Sequence, residues 1–437
     1  MSIPKALQFL LIALAPSVGL GQATLTGSPV TGDVPTFAFQ SESAATNVML
    51  GTISASASVD DNNNNSVSHP ISGAQYFIAS SLAIQQSRSH LQWNLGYSPG
   101  LTIFVPSNIL PDQFSQSFGG KLHYDVTKRF SIGLRQDYLR TNDPFQQLGR
   151  APLQPGIDVI DRPGSVALPD LRRTSLLSGV QLDYRLAKYT AVGVTGTFMQ
   201  THYDQSSGNA NSLIDTRNSS GSAFLSHQFS RRQSVGMQYQ FDDLVFSQGS
   251  SRTTSHSVLL FDQIAINPHM NFSIFAGPEY SRVHNQELVN LLFFVVQVPV
   301  SKTLLSSAGG ATFNWSGNHS AVQASFVRRV SDGGGLLGSV EMNDAALQIR
   351  TKLARRWVAT LDGDMAQDTL LQVSGNGKMQ VIQAGGGISH ELARNMWLRV
   401  SYQRMRRTGG YLAPLGFGNH NRLTLSLERS FSLPLGR

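Results

Sequence analysis

Chemistry in this chain would have to come from histidines, hydroxyls and carboxylates, because its 437 residues include no cysteine. That excludes thiolate metal centres, iron–sulfur clusters, disulfide scaffolds and a cysteine-linked lipid anchor. The eleven histidines stand at 69, 90, 123, 202, 227, 256, 269, 284, 319, 390 and 420. None forms a His-Glu-x-x-His pair or another close metal-ligand spacing. A Gly-x-Ser-x-Gly elbow is absent. Gly375-Asn376-Gly377-Lys378 has the look of a phosphate loop's tail, but lacks the glycine five residues before Gly377 and a hydroxyl after Lys378, so it reads as a turn. Ser226 and Ser230 flank His227, yet adjacent residues of an extended strand point to opposite faces. The expectation is therefore no enzyme, no cofactor and no metal.

Charge narrows the options further. Lys and Arg number 34 against 27 Asp and Glu, a net charge of +7. Residues 328–437 hold 15 of the cations and 8 of the anions, so this quarter carries the whole excess. No reading helix and no stripe of bases with interleaved aromatics accompanies it, which argues against nucleic acid. Only 14% of residues are charged, while 38 are Phe, Trp or Tyr. That combination fits neither disorder nor an ordinary soluble surface.

The elements that position these groups are strands. Period-two alternation dominates from about Val48 onward. Val180, Leu182, Tyr184 and Leu186 alternate with Gln181, Asp183 and Arg185, and Leu423, Leu425 and Leu427 alternate with Arg422, Thr424, Ser426 and Glu428. A soluble sandwich could give the same strings, so the connections decide. Tight turns at Thr127–Arg129, Ala187–Tyr189, Ser230–Arg232, Pro268–His269, Gly317–His319, Ala354–Arg356 and Ala393–Asn395 recur every 40 to 60 residues or so. Between them fall polar stretches at 60–70, 141–172, 203–217, 283–299, 332–342 and 408–420. Short turns at one end and long loops at the other describe a transmembrane antiparallel up-and-down β-barrel. Runs of suitable length give about 18 strands, with 16 open if the weak strands near 252–281 are miscounted. No helix is expected in the body of the chain. Strand-end aromatics such as Trp93, Tyr184, Trp357, Trp397 and Tyr402 suit two interfacial girdles.

Residues 1–23 read as a secretory signal peptide: Lys5, an apolar run from Phe9 to Ala15, and small residues up to Ala23. Residues 24–45 read as a flexible periplasmic lead, and 46–437 as the barrel.

The polar face of each strand then supplies a pore lining. Its cations are Lys121, Arg135, Arg185, Arg329, Arg350, Lys352, Arg399 and Arg422. Its anions are Asp125, Asp137, Asp183, Asp242, Asp362, Asp364 and Glu428. Mixed signs across a pore set up a transverse field that favours dipolar solutes, and the same charges could instead pair and brace the wall. The long loop 141–172, with five prolines and Asp143, Arg150, Asp158, Asp161, Arg162, Asp170 and Arg172, is expected to fold inward as a constriction. Its charges would find Arg135 and Arg185 on the strands that flank it.

The C-terminal third resembles outer-membrane barrels found with exopolysaccharide and exosortase loci in acidobacteria-like Gram-negative bacteria. The stretches that carry this are RRVSDGGGL (328–336), KLARRWVATLDGDMAQDTLL (352–371) and GGGISHELARNMWLRVSYQRM (385–405), with RQDYLRTNDPF (135–145) before them. The resemblance covers about a third of the chain and implies a porin-like barrel linked to surface polysaccharide. It brings no active-site residues. The functional expectation is an outer-membrane channel for hydrophilic solutes or surface polysaccharide, reached by Sec-type export, in contact with outer-membrane lipid. The alternative is a non-conducting structural or surface-interaction barrel.

Overall fold

The computed structural model describes residues 47–63, 69–105, 112–141, 172–204, 214–247, 251–291, 294–333, 338–371, 377–409 and 419–435, with backbone alone at 285–291 and 294–299. The proposed signal peptide and periplasmic lead lie outside these residues.

Eighteen antiparallel strands follow one another along the chain. The first six are β1 (Val48–Asp60), β2 (Gly73–Ser87), β3 (Leu91–Val105), β4 (Gln113–Asp125), β5 (Phe130–Thr141) and β6 (Arg172–Ala187). Next come β7 (Thr190–Asp204), β8 (Thr216–Ser230), β9 (Gln233–Phe246), β10 (Arg252–Asn267), β11 (Met270–Leu291) and β12 (Phe294–Ser316). The last are β13 (Ser320–Ser331), β14 (Val340–Ala354), β15 (Trp357–Leu370), β16 (Lys378–Ala393), β17 (Met396–Thr408) and β18 (His420–Pro434). Each pairs with its sequence neighbours, and β1 pairs with β18 from Val48 opposite Pro434 to Asp60 opposite Arg422. The sheet thus closes on itself, and only the loop-end extensions of β11 and β12 run past their flanking strands. The 16-strand alternative is excluded, since β10 and β11 are both full strands.

Connections at one end are two to four residues long, from 88–90 after β2 to 394–395 after β16. In the last of these Asn395 takes a φ of 62°, the left-handed conformation that asparagine tolerates better than most residues. Connections at the other end are mostly longer, the longest being 142–171. We call the two ends the turn end and the loop end.

One expected loop is not a loop. Residues 283–299 continue β11 and β12 as a long hairpin, joined at 292–293. Pro299 lies inside β12, and a proline cannot donate to a ladder. However, β12 pairs with β13 only from Gly309 to Ser316. Beyond that point it has no β13 partner, so the missing donor costs no bond there.

Parity runs without interruption around the wall, since directly paired residues share a face. Every one of the eighteen strands exposes at least one large apolar side chain on its outer face, from Ile53 on β1 through Leu260 on β10 to Leu425 on β18. A soluble barrel would bury these and expose its polar face. Here the order is reversed, and hydrocarbon is the solvent that matches an apolar belt whose backbone is fully paired. No helix among the described residues is long and apolar enough to cross a membrane. Most of the expected girdle aromatics face outward, Trp357 stacking on His390 at 4.3 Å between ring centroids. Trp397 does not: it lies opposite Glu391 on the inner face, because the apolar pair Leu398 and Val400 fixes the strand's outer parity.

Candidate functional site: the barrel interior

The inner face receives the sequence-selected charges. Lys121 and Asp125 on β4, Arg135 and Asp137 on β5, and Asp183 and Arg185 on β6 share inner registers. Asp242 on β9, Arg329 on β13, Arg350 and Lys352 on β14, Asp362 and Asp364 on β15, Arg399 on β17, and Arg422 and Glu428 on β18 alternate with outward apolar residues. Of the constriction residues, Asp143, Arg150, Asp158, Asp161, Arg162 and Asp170 lie outside the described residues. Arg172 is the first residue of β6, and its guanidinium lies 3.5 Å from Asp204 on β7.

Many partners of these charges come from the same strand, two residues away, where strand geometry puts the side chains on one face. Arg135 donates to Asp137 and Gln181 to Asp183. Gln240 Nε2 donates to Asp242 at 2.9 Å, and His123 Nε2 lies 3.4 Å from Asp125. The signature is a short string, HYD, RQD, QLD or QFD, each ending in aspartate. Arg135 therefore has a partner on its own strand, and the 142–171 loop expected to meet it lies outside the described residues. Arg399 is held by Ser389 Oγ across the β16–β17 pair at 3.0 Å.

Depth divides this surface. On β14 the inner residues Arg350 and Lys352 near the turn end are exposed, whereas Met342 and Val340 near the loop end are buried, Val340 at 0%. On β18 Glu428 and Thr424 are partly exposed, whereas Arg422 and His420 are buried. Along β15 the same gradient runs from Asp362 to Asp368. On these three strands solvent reaches the inner face near the turn end and the loop-end half is packed, whereas on β8–β12 inner residues near the turn end, Ser226, Ser234, Gln263, Ser273 and Thr312, are buried too.

Two sets of residues that the sequence did not single out do that packing. Thr216 Oγ1 at the start of β8 donates to Asp332 Oδ2 at 2.7 Å, and Ser339 Oγ donates to Thr253 Oγ1 on β10 at 2.6 Å. Asp332 and Ser339 are the two ends of the β13–β14 connection, both buried. Five inter-strand spacings separate β8 from β13 in the sheet. At about 4.8 Å per strand their rims would stand roughly 24 Å apart along an undistorted wall. A direct hydrogen bond means that the β13–β14 rim reaches across to β8–β10 and narrows the mouth. Behind it lie two apolar clusters on the wall of β8–β12: Leu259, Phe261, Phe275 and Ala308, and Ile214, Leu244 and Phe246 with Val330 against them. A signal existed. Val258-Leu259-Leu260-Phe261 is apolar on both parities, as expected of a strand buried on both faces.

The second set closes the seam. Asp60 Oδ1 and Oδ2 receive His420 Nδ1 and Arg422 Nε, each at 3.1 Å, and its Oδ1 also takes the Asn62 amide at 2.9 Å. All three side chains are nearly or wholly buried. The carboxylate thus ties β1 to β18 at the loop end. Towards the turn end Phe431 covers Gly51 on the outer face, where a Cβ would meet its ring at 2.0 Å.

Ser226 and His227 face opposite ways: Ser226 Oγ bonds inward to Ala191 O at 3.4 Å, His227 outward to Thr190 Oγ1 at 2.9 Å. Among the described residues no three His, Asp or Glu groups converge as a metal site.

No protein-family model matches the chain, and no curated protein does. Among solved structures it is similar to OccK1 (OpdK) of Pseudomonas aeruginosa, at 9% identity and a TM-score of 0.40 over 88% of this chain and 99% of that one. OccAB3 of Acinetobacter baumannii gives 8% identity and 0.43 over 89% and 99%. The ferric-catecholate import receptor Fiu of E. coli gives 8% and 0.44 over 87% and 81%. Likeness at this level transfers no residue, solute or partner.

Proposed function

We propose that the protein is an outer-membrane channel of a Gram-negative cell, delivered by Sec-type export, that passes hydrophilic solutes. The observation that carries this reading is the coexistence of an apolar outer belt with a charged inner face open from the turn end. Cations and anions interleave on that face, so a solute meets a transverse field instead of one sign of charge. Polar solutes with separated donors and acceptors suit it, and surface polysaccharide is the finer form of this reading, following the C-terminal resemblance. Lys121, Asp125, Arg135, Arg185, Arg350, Lys352 and Asp362 line the accessible path. The buried residues Asp137, Asp183 and Arg422, with the half-buried Asp242 and Arg329, brace it. The 142–171 connection is a further narrowing element in the same proposal, and replacing 149–167 by a Gly-Ser link is expected to raise conductance.

The packed loop-end half favours a second reading, a barrel that does not conduct and works through its loops. Planar-bilayer recording separates the two: discrete conductance steps support the channel, and a closed baseline across salts and voltages supports the alternative. Orientation follows from tags. A tag in Asn62–Asn65 should be reached on intact cells and one at Arg355–Arg356 should not; the opposite pattern would turn the barrel over.

A further inference from the structure

The outer face changes character along the barrel. Near the turn end its strand positions are aromatic or aliphatic, with Tyr124, Tyr184, Phe229, Trp357, Leu392 and Leu433 exposed. Near the loop end, above the apolar belt, the same outward parity presents Arg217, Arg252, Arg282, Arg328, Lys378 and Arg406. Among the described residues acids answer only part of this charge: Arg252 holds Asp243 at 2.7 Å and Arg328 holds Glu341 at 2.7 Å. Membrane-facing cations at one rim need an anionic phase against them, since unanswered charge beside hydrocarbon is costly.

Between β13 and β16 this rim is hollowed. An open depression of about 550 Å³ has Phe326 and Met365 on the belt side and Arg328, Glu341, Gln367 and Lys378 on the loop side. Its walls therefore repeat, over one small area, the layout of an amphiphile: an acyl chain below and an anionic headgroup above. Arg328 and Lys378 stand on strands separated by β14 and β15. Arg328 already holds Glu341, so a phosphate there shares the guanidinium with that carboxylate; two separated cations at one hollow still suit a headgroup with two phosphates better than one with a single phosphate. Arginine and lysine are the side chains that hold phosphate by charge-assisted hydrogen bonds.

We infer that this hollow binds a bisphosphorylated saccharolipid of the surface leaflet, its phosphates at Arg328 and Lys378 and an acyl chain along Phe326 and Met365. The inference rests on the outer-membrane reading above for the identity of that leaflet. The bound lipid would anchor the loop-end rim beside β13–β14, the element that reaches across the mouth.

The test uses the full barrel purified in neutral detergent, incubated with an equimolar mixture of lipid A and phosphatidylglycerol, with retained lipid read by native mass spectrometry. Lipid A is expected to be retained in preference. Arg328→Gln with Lys378→Gln should weaken its retention about tenfold, the loss of a charge-assisted contact. Arg429→Gln, outward but at the turn end, should leave it unchanged. Equal retention by the double variant, parity of phosphatidylglycerol with lipid A, or an equal loss in Arg429→Gln would each overturn the assignment. Should the double variant fail to assemble, Lys378→Gln alone carries the test, and unchanged retention there refutes the site. A conducting wild-type barrel that retains no lipid A refutes the hollow and spares the channel. A protein that fractionates away from the outer membrane refutes the reading beneath both.

Discussion

The two halves of the barrel wall are built from the same strands and solve different problems. Towards the turn end the inner faces of β14 and β18 are accessible and their charges stand partly in water, as at Arg350, Lys352 and Glu428, while β8–β12 stay buried there. Towards the loop end the same strands present Val340, Met405 and His420 at 0–1% exposure, and polar groups there are tied to distant strands. A solvated charge costs little and holds little together. A buried one must be paired, and its pairing fixes geometry. The lesson is that selectivity and shape are separable along the barrel axis: the turn-end half can vary its charges, and the loop-end half cannot.

The largest test of this contrast is Asp60→Ala. It leaves Arg422 buried without its carboxylate and should cost about 3–5 kcal/mol, as broken buried pairs do. Glu428→Ala, on the same seam and face but near the turn end, is expected to cost under about 1 kcal/mol. Denaturant unfolding in detergent measures both, and equal losses would erase the distinction between the halves.

Next in size is the lipid face. Leu425→Arg places a charge in the apolar belt and should cost about 2–4 kcal/mol, whereas the neighbouring Thr424→Arg points inward and should be tolerated. Heat-modifiable gel mobility that responds alike to both would contradict the parity.

A smaller effect is expected at the mouth. Thr216→Val removes the hydroxyl that donates to Asp332 and should loosen the β13–β14 rim by about 1–3 kcal/mol. Single-channel conductance should rise with no change in ion preference. Lys352→Gln, in the accessible half, should do the reverse, shifting the cation-to-anion permeability ratio while leaving conductance nearly constant. Conductance moving with Lys352 and not with Thr216 would place the narrow point at the wrong end. This is the most delicate of the four measurements.

Much of this wall was legible in the residues. Alternation set the parity of β6 and β18 outright, because a one-residue slip would turn every leucine of Leu423-x-Leu425-x-Leu427 into the polar interior. Turn residues placed strand ends to within a few positions, except on β12, which runs from Phe294 through the stretch 283–299 that reads as a polar loop. Same-strand partners such as Arg135 and Asp137 could be read as well, since two-residue spacing alone brings them together.

What the sequence determined by itself, then, is everything that depends on spacing of one or two residues: strand, face, turn, and the local charge pairs. What only the tertiary structure decided depends on which distant strands meet. Closure of β1 on β18 placed Asp60 against His420 and Arg422, 360 and 362 residues away. Bending of the β13–β14 rim placed Asp332 against Thr216 and Ser339 against Thr253. No local pattern encodes such contacts, because the same serine or aspartate would satisfy its strand as well in water. Their partners are chosen by the curvature of the closed sheet, which no single strand contains.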